Sequence, residues 1–436
     1  MSLSGRGEAN TAPMKDTART PTVCYLLPNL TGGGAERVAL NIMRGLPEAG
    51  RRLVLFENKM DYPCDAPLDV LDCVLTFRGF GPRRLYRALA GSIELMQLKH
   101  REGDASWLSF TTMANILNVL TPVGGRVVVT SHNRESENLR GKSAPLMRAL
   151  VSFTYRRADL VVAVSELVKA DLIERFGVPS SKIVTIYNAV DLSEVATQKD
   201  QALDEPLRHV LARPSIVTVG RLIEQKGQWH LLRAFAALKK VIPDATLVVI
   251  GKGELGGYLA RLGRELGLRV WAAWEGSPPE SMAQSDVVFR GFVANPFAVI
   301  AKSRVFAFPS LWEGFGNAIL EALACGAPAV VADCRAGPRE ILAPGTGERS
   351  TSEPEDADAG ILMPVFDGEK RDAMVPYTLT ELSWAETLAR VLRDEELRRR
   401  YADRGRKRAE AFSVDAIADE WRRVLFAPGA TASARV

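Results

Sequence analysis

Short apolar runs alternate with longer amphipathic stretches along almost the whole chain. In the first half, runs rich in β-branched residues predict strands at 23–27, 53–56, 107–110, 127–130, 160–164 and 183–186. Stretches of helical length lie between these runs, for example at 35–46 and 166–176. Regular alternation of strands with helices is typical of βαβ units, whose strands are parallel. The first half is therefore predicted to form a parallel sheet covered by helices.

A second series of strands follows a polar segment. Apolar runs predict strands at 216–219, 247–250, 287–289, 305–308, 329–331 and 361–363, followed by helices at 379–392, 395–411 and 414–425. The pattern predicts an α/β architecture with two doubly wound parallel-sheet domains. We expect a tail at 1–20, a first domain at 21–190, a linker at 191–214, a second domain at 215–410 and a terminal helix within 411–436. The acidic, Ser/Thr/Pro-rich segment 344–359 and the tail have the composition of mobile loops.

Composition narrows the class of protein. The chain has 436 residues, of which 47% are hydrophobic and 25% charged, as in ordinary globular proteins of two or three domains. No apolar run is long enough to span a membrane, and the N-terminus has no apolar signal stretch, so we expect a cytoplasmic protein. The five cysteines form no CxxC pair, which argues against a disulfide framework or a zinc site.

Basic residues concentrate in one part of the first half. The net charge is only +4, but residues 80–157 carry 12 basic against 5 acidic side chains, partly on the amphipathic stretches 83–99 and 143–157. Such a face predicts contact with an anionic membrane, to which each cation near the surface contributes about 1 kcal/mol. Ordinary half-buried helices with solvated arginines are the alternative. Nucleic acid is not an expected partner, because no aromatic residues or binding motifs accompany the charge.

A run of glycines follows the first predicted strand. Gly33 and Gly34 belong to the sequence TGGGAER, which opens the first predicted helix. Glycines at this position let the backbone approach a ligand, and the amides of a helix start point toward an anion. The alternative is a simple tight turn, which does not require three adjacent glycines.

Two basic residues follow the first strand of the second series. Gly220 and Arg221 end that strand, and Lys226 precedes the next helix. Ligands of parallel sheets bind at the carboxyl ends of the strands. Two cations there are suited to neutralising a diphosphate leaving group, although solvated loop residues would give the same pattern.

The segment PSLWEGFGN at 309–317 combines glycines with carboxylates. Glu313 lies in the predicted loop, and Glu321 lies in the helix that follows. Carboxylates accept hydrogen bonds from the vicinal hydroxyls of ribose and hexose. A hydrolase with paired carboxylates and a helix-capping glutamate are the alternatives. Neither accounts for Gly314 and Gly316, which expose backbone amides.

A second glycine motif resembles a dinucleotide site. Gly251 and Gly253 belong to GKGELG, a literal GxGxxG after the strand 247–250. No acidic residue about 20 positions further on ends a strand, as the dinucleotide fingerprint requires. We expect these glycines to line the same cleft as the other motifs and not to bind NAD or FAD.

Together these motifs resemble those of the retaining GT-B glycosyltransferases of family 4. The matching segments, in the family's order, are Gly33-Gly-Ala-Glu-Arg37, Gly220-Arg221 with Lys226-Gly227, Glu313-Gly-Phe-Gly-x4-Glu321 and Ala324-Cys-Gly-x-Pro328. The resemblance implies two Rossmann-like domains facing a cleft, with C-terminal helices of which the last crosses back to the first domain. It also implies that the second domain binds most of a nucleotide-sugar donor and the first most of the acceptor.

The resemblance implies a role for each site residue. Glu321 would bind the donor ribose, Arg221 and Lys226 the diphosphate, and Glu313 with the amides of Gly314, Phe315, Gly316 and Asn317 the transferred sugar. His132, just after the strand 127–130, matches the family's histidine near the reacting carbon, although a structural histidine is the alternative. Gly33, Gly34, Gly220, Gly251 and Gly253 would complete the donor site.

The expected activity is transfer of a hexose or N-acetylhexosamine from a UDP-sugar to a glycan or lipid-linked saccharide in cell-surface glycan assembly, with retention. No cofactor is expected beyond the donor, and no metal, since the basic pair replaces a divalent ion and the acidic residues at 356–358 lie in a solvated loop. Two other activities stay open, a nucleotide-sugar epimerase of the same architecture and a non-catalytic sugar-nucleotide-binding protein. The long segment 271–286 departs from the family pattern and puts contacts near that edge in doubt.

Overall fold

The computed structural model describes residues 21–31, 33–61, 64–71, 82–122, 124–139, 141, 143–347 and 349–426. The expected tail 1–20 and residues 427–436 lie outside this part of the chain. Two parallel sheets, each with helices on its faces, form the two halves of the molecule.

The first half is built on a seven-stranded sheet. Its strands are β1 (Thr22–Leu27), β2 (Gly50–Leu55), β3 (Leu68–Val70), β4 (Ser106–Phe110), β5 (Arg126–Ser131), β6 (Leu160–Ala163) and β7 (Ile183–Thr185). The helices between them are α1 (Gly34–Gly45), α2 (Pro82–Glu102), α3 (Thr112–Leu120), α4 (Glu135–Asn138), α5 (Ala144–Tyr155) and α6 (Glu166–Phe176). The order β3-β2-β1-β4-β5-β6-β7 reverses direction between β1 and β4, which is where ligands of open parallel sheets bind.

The segment after β7 contains two short helices, α7 (Leu192–Gln198) and α8 (Glu205–Ala212). Each has an aspartate cap, at Asp191 and Asp204, whose side chain accepts a hydrogen bond from a backbone amide of the first turn. Val195 of α7 and Leu207, Val210 and Leu211 of α8 are buried. The segment 191–214 is therefore packed against the body of the protein.

The second half is built on an eight-stranded sheet of order β10-β11-β9-β8-β12-β13-β15-β14. Its strands are β8 (Ser215–Val219), β9 (Thr246–Ile250), β10 (Val270–Ala272), β11 (Val287–Gly291), β12 (Val305–Phe308), β13 (Ala329–Ala332), β14 (Glu355–Asp356) and β15 (Ile361–Met363). Its helices are α9 (Gln228–Lys239), α10 (Gly256–Glu265), α11 (Phe297–Lys302), α12 (Asn317–Cys325), α13 (Pro338–Leu342), α14 (Leu379–Arg393) and α15 (Glu395–Glu410). All neighbours are parallel except β14 and β15.

The inner strands β9 and β12 are buried on both faces, as in parallel sheets covered by helices. Every residue of β9 and every residue of β12 is buried. The segment 344–359, expected to be a loop, contains the edge strand β14. Glu355 of this strand forms a salt bridge with Arg339, which also pairs with Asp333. The insertion 271–286 includes part of the edge strand β10 and does not line the cleft described below.

The last helix, α16 (Val414–Phe426), returns to the first half of the molecule. It packs on α1, and Ile417, Trp421 and Leu425 belong to the same buried cluster as the residues of β1. The crossing is held by a short bridge between Val190 and Ser413. The core of the first half is thus completed by the end of the chain.

No helix in the described part of the chain is long and apolar enough to cross a membrane.

Candidate functional site

A cleft of about 520 Å³ lies between the two halves, at the carboxyl ends of the strands of both sheets. The loops after β1, β4 and β5 form its wall on one side, and the loops after β8, β9, β11 and β12 form the other. This is the position at which parallel sheets bind ligands. The cleft brings together most of the residues singled out in the sequence.

Gly33 and Gly34 line the cleft at the start of α1. A Cβ atom on Gly33 would overlap the carboxylate of Glu36 as it is placed here, so a larger residue would require the Glu36 side chain to move. The carbonyl of Gly34 accepts a hydrogen bond from Asn317 Nδ2 at 3.2 Å, which joins the two halves. Asn317 Oδ1 in turn accepts a bond from Asn188 Nδ2 at 2.7 Å. The glycine loop therefore holds the two walls together as well as opening the cleft.

Arg221 and Lys226 also line the cleft, with Gly220 before them. Lys226 Nζ forms a salt bridge with Glu313 Oε1 and lies 5.1 Å from the centre of the Phe308 ring. Arg221 faces Glu36 from the other wall. The positive charge of Arg221 lowers the pKa of Glu36, but burial outweighs it and the pKa of this carboxyl is raised.

The two glutamates of the motif are both buried and both paired with a cation. Glu313 is paired with Lys226, whereas Glu321 Oε1 lies 3.4 Å from Nε of Arg37 in α1. Burial raises the pKa of Glu321, and the Arg37 guanidinium opposes that rise. The first glycine motif contains Arg37 but does not predict this role, because nothing in the local sequence indicates a partner so far along the chain.

The loop between the glutamates contacts the opposite wall directly. A Cβ atom on Gly314 would overlap the carbonyl oxygen of His132, so only glycine permits this approach. Gly316 has φ +100° and lies just before α12. The buried ring of Phe315 stacks on Tyr187 with centroids 5.4 Å apart. Phe315 and Gly316 line the cleft, whereas Gly314 forms a contact between the walls.

His132 lies in the cleft with a defined orientation. Its ring stacks on Phe110, and its Nε2 lies 2.8 Å from Thr130 Oγ1. The hydroxyl hydrogen of Thr130 goes to the carbonyl of Ser109 at 2.8 Å, so Thr130 must accept from Nε2. Burial lowers the pKa of His132 to about 4. The imidazole is therefore neutral at physiological pH, with its proton on Nε2 and an acceptor lone pair on Nδ1.

Of the three glycines in the dinucleotide-like motif, only Gly251 lines the cleft. Gly251 has φ +144° and a backbone too close to the Gly220 carbonyl for a side chain. Gly253 is instead packed against the backbone of Leu222 and does not line the cleft, and its contact with the donor stays a prediction. Both glycines allow two loops to pack closely.

Thr111 and Glu135 are among the polar residues of the cleft that were not singled out in the sequence. Thr111 follows β4, and Glu135 begins α4. They are 24 positions apart and belong to no recognisable motif. Thr111 does follow a strand end, which is a signal that could have found it.

The acidic pair Asp356 and Asp358 lies away from the cleft. Asp356 forms a salt bridge with Arg390 at the sheet edge. In the described part of the chain, no three His, Cys, Asp or Glu side chains are grouped as metal ligands.

The sequence was compared with known protein families. Residues 32–194 match the profile described as Glycosyltransferase Family 4, and residues 213–364 match that of Glycosyl transferases group 1. The chain belongs to glycosyltransferase family 4. The resemblance seen in the motifs is thus confirmed, and this glycosyltransferase carries its two matched regions on its two sheets.

Individual relatives agree with the family. An uncharacterised glycosyltransferase of Methanocaldococcus jannaschii is 26% identical over 86% of this chain and 87% of its own. The N-acetylgalactosamine-N,N'-diacetylbacillosaminyl-diphospho-undecaprenol 4-alpha-N-acetylgalactosaminyltransferase of Campylobacter jejuni is 31% identical over 63% of this chain and 62% of its own.

A solved structure agrees with the fold. Anabaena HepE in complex with UDP and glucose superposes with a TM-score of 0.68 at 20% identity, covering 93% of this chain and all of HepE. The predicted GT-B fold is confirmed.

Proposed function

We propose that this glycosyltransferase moves a hexose or N-acetylhexosamine from a UDP-sugar to a glycan or lipid-linked saccharide, with retention of the anomeric configuration. The observation that carries the proposal is the grouping of Arg221, Lys226, Glu313 and Glu321 in one cleft. The Campylobacter relative is named for an undecaprenol-linked substrate, and the HepE complex contains UDP and glucose. Both names support a UDP-linked donor and a saccharide acceptor.

Departure of the diphosphate is the step that the cleft is suited to assist. Negative charge develops on the leaving group, and fixed cations in a partly buried site stabilise it strongly. Arg221 and Lys226 supply two such cations at the end of β8. In this proposal they take the role that a divalent ion has in other glycosyltransferases.

The carboxylates and His132 then bind sugar hydroxyls. Glu321 is the proposed ribose ligand, and Glu313 is the proposed ligand of the transferred sugar. The unprotonated Nδ1 of His132 can accept a hydrogen bond from a sugar hydroxyl but cannot donate one. Because Glu313 is already paired with Lys226, it is a poor covalent nucleophile. We therefore favour attack from the leaving-group face, with the donor phosphate taking the acceptor proton.

We also propose that the first half contacts an anionic membrane. The exposed apolar residues of α2 lie on one face, with Tyr86 at 73%, Leu89 at 57% and Ile93 at 52% exposure. Helices α2 and α3 contribute residues to the same buried cluster, and α3 packs on α5. On α5, the side chains of Leu146 and Phe153 are exposed. Arg157 lies over the Phe153 ring. Apolar tips among cations fit a bilayer surface that carries a lipid-linked acceptor.

A panel of UDP-sugars, incubated with and without octyl glycosides or a polyprenyl-diphosphate-linked saccharide, tests the activity. Release of UDP that requires an acceptor supports transfer, and the anomeric coupling in the product NMR spectrum reports retention. Conversion of the donor sugar into its epimer, without formation of a new glycoside, would favour the nucleotide-sugar epimerase. Binding of UDP-sugars without turnover would favour the non-catalytic protein.

A further inference from the structure

Glu135 is a buried carboxyl group on the cleft wall. Only 2% of the residue is exposed, yet it lines the cleft at the start of α4. Its Oε1 accepts hydrogen bonds from Thr112 Oγ1 at 2.9 Å and from Tyr155 OH at 3.2 Å. Tyr155 can direct its hydrogen there because its oxygen accepts a bond from Asn115 Nδ2. One oxygen of the carboxyl is thus fixed by the protein.

The other oxygen of Glu135 is not used by the protein. Oε2 is buried and has no hydrogen-bond partner among the residues that the structure describes. An unpartnered buried oxygen costs about 1–3 kcal/mol, so such groups call for an explanation. Since both protein donors go to Oε1, any proton on this carboxyl lies on Oε2. Oε2 can therefore accept a hydrogen bond when ionised and donate one when protonated.

Thr111 shows the same pattern at the neighbouring position on the wall. Its φ of +78° is strained for a β-branched residue. It precedes α3, but its hydroxyl makes no capping bond, and Oγ1 is buried without a partner in the described structure. Its carbonyl accepts a bond from the amide of Asn115 at 2.9 Å. The strained backbone leaves this hydroxyl free for a ligand.

We infer that Thr111 Oγ1 and Glu135 Oε2 form a subsite that binds a hydroxyl group of the acceptor saccharide. The inference rests on the proposed function. A sugar hydroxyl both donates and accepts hydrogen bonds, which matches a threonine hydroxyl beside a carboxyl oxygen. An anionic group would be repelled by the carboxylate. The nucleotide has its proposed ligands on the opposite wall, which leaves this wall to the acceptor.

The titration of Glu135 is compatible with this role. Burial raises its pKa to about 7, with a smaller contribution from the negative charge of Asp171, while the hydrogen bonds from Thr112 and Tyr155 oppose the rise. Both forms of the carboxyl are thus populated near neutral pH, and each can bind a hydroxyl.

The test uses the full chain saturated with UDP and a panel of octyl glycosides of glucose, galactose and their N-acetylamino forms. Saturation-transfer NMR and titration measure glycoside binding, which does not depend on turnover. Glu135→Gln is expected to weaken glycoside binding about tenfold, the loss typical of one hydrogen bond to a charged group. Thr111→Gly removes the hydroxyl and also relieves the strain. It should weaken binding several-fold without lowering the unfolding temperature.

Tyr155→Phe is the matched control, because it removes a donor to Oε1 without touching the cleft. If Glu135 acts only through folding, Tyr155→Phe and Glu135→Gln will impair binding equally, and the inference is wrong. Equal affinity of wild type and both cleft variants, or no glycoside binding by the UDP-loaded wild type, also overturns it. Calorimetry with UDP separates the two hypotheses, since failure of wild type to bind UDP contradicts the proposed function and not the subsite alone.

Discussion

Arg37 and Glu321 form an ion pair across the cleft, with Nε of the arginine 3.4 Å from Oε1 of the glutamate. Arg37 also bonds Glu194 at 3.3 Å and lies 4.7 Å from the centre of the Phe297 ring. Burial raises the pKa of Glu321, the proposed ribose ligand in one half, and the positive charge of Arg37 from the other half opposes that rise. Under the proposed ribose role of Glu321, this pair would couple donor binding to the relative position of the two halves.

The first prediction concerns UDP affinity. Glu321→Ala should weaken UDP binding about tenfold or more, because a charged hydrogen-bond acceptor is lost. Arg37→Met should weaken it less, by raising the pKa of Glu321. Glu313→Ala should leave UDP affinity near wild type while impairing transfer. Arg44→Met is the control, since Arg44 also pairs with Glu194 but does not line the cleft. Calorimetric titration measures the affinity of each variant for UDP. If Glu321→Ala binds UDP as tightly as the wild type does, the ribose assignment is wrong.

The second prediction concerns the leaving group. Arg221→Ala or Lys226→Ala should lower turnover by on the order of 10²–10³, as losses of comparable electrostatic donors do. EDTA should leave the wild type active. Because Lys226→Ala also leaves Glu313 buried without its cation, the double variant with Glu313→Gln should unfold at a higher temperature than the single variant. Strict dependence of the chemical step on Mg²⁺ or Mn²⁺ would contradict this mechanism.

The third prediction concerns pH and stability. The pKa of Glu135 rises from 4.5 to about 7 on folding, so its stabilising contribution is complete below pH 4.5 and is lost as the pH rises through 7. Relative to Glu135→Gln, the wild type should therefore lose about 2–3 kcal/mol of unfolding free energy between pH 5 and pH 8. Urea unfolding at several pH values measures the difference. A pH-independent difference would show that the carboxyl is not the titrating group.

The fourth prediction concerns the membrane. The double variant Leu89→Glu with Ile93→Glu should bind anionic vesicles much more weakly than wild type in cosedimentation. Met374→Glu with Leu379→Glu is the matched control, because these residues are 92% and 86% exposed on the second half. Wild-type binding should fall with salt and be weak on neutral vesicles.

Equal recovery of wild-type protein in the supernatant with both vesicle types would contradict the membrane proposal. Arg83 and Arg84, prominent in the basic sequence region, have side chains outside the described part of the structure. The apolar residues of α2 therefore give the sharper test.

The alternation of apolar runs was enough to predict two parallel-sheet α/β domains, because buried parallel strands are continuous apolar runs. The GT-B fold was implied by the resemblance of the motifs to family 4. The strands that it missed are edge strands of two or three residues, such as β14, whose two residues are Glu355 and Asp356. They pair through their backbone and need no apolar side chains. The short helices of 191–214 were missed because each is only about two turns long.

The site was predictable where chemistry follows a strand end within one loop. Arg221 and Glu313 were found in this way. The pairing of Arg37 with Glu321 was not, because it joins residues almost 300 positions apart. The same holds for Thr111 and Glu135, which are proposed as ligands because Thr111 Oγ1 and Glu135 Oε2 are buried without a hydrogen-bond partner in the described structure. Sequence patterns record what a residue is, but an unpartnered oxygen is visible only in three dimensions.

The return of α16 to the first half has a consequence for biosynthesis. Domains generally fold as units while the chain emerges from the ribosome, N-terminal part first. Here Trp421 and its neighbours reach the face of α1 only after the whole second sheet has been translated. Until then the apolar face of α1 stays uncovered and open to chaperones. The first half is therefore synthesised first, but its buried core is complete only after α16 has been translated.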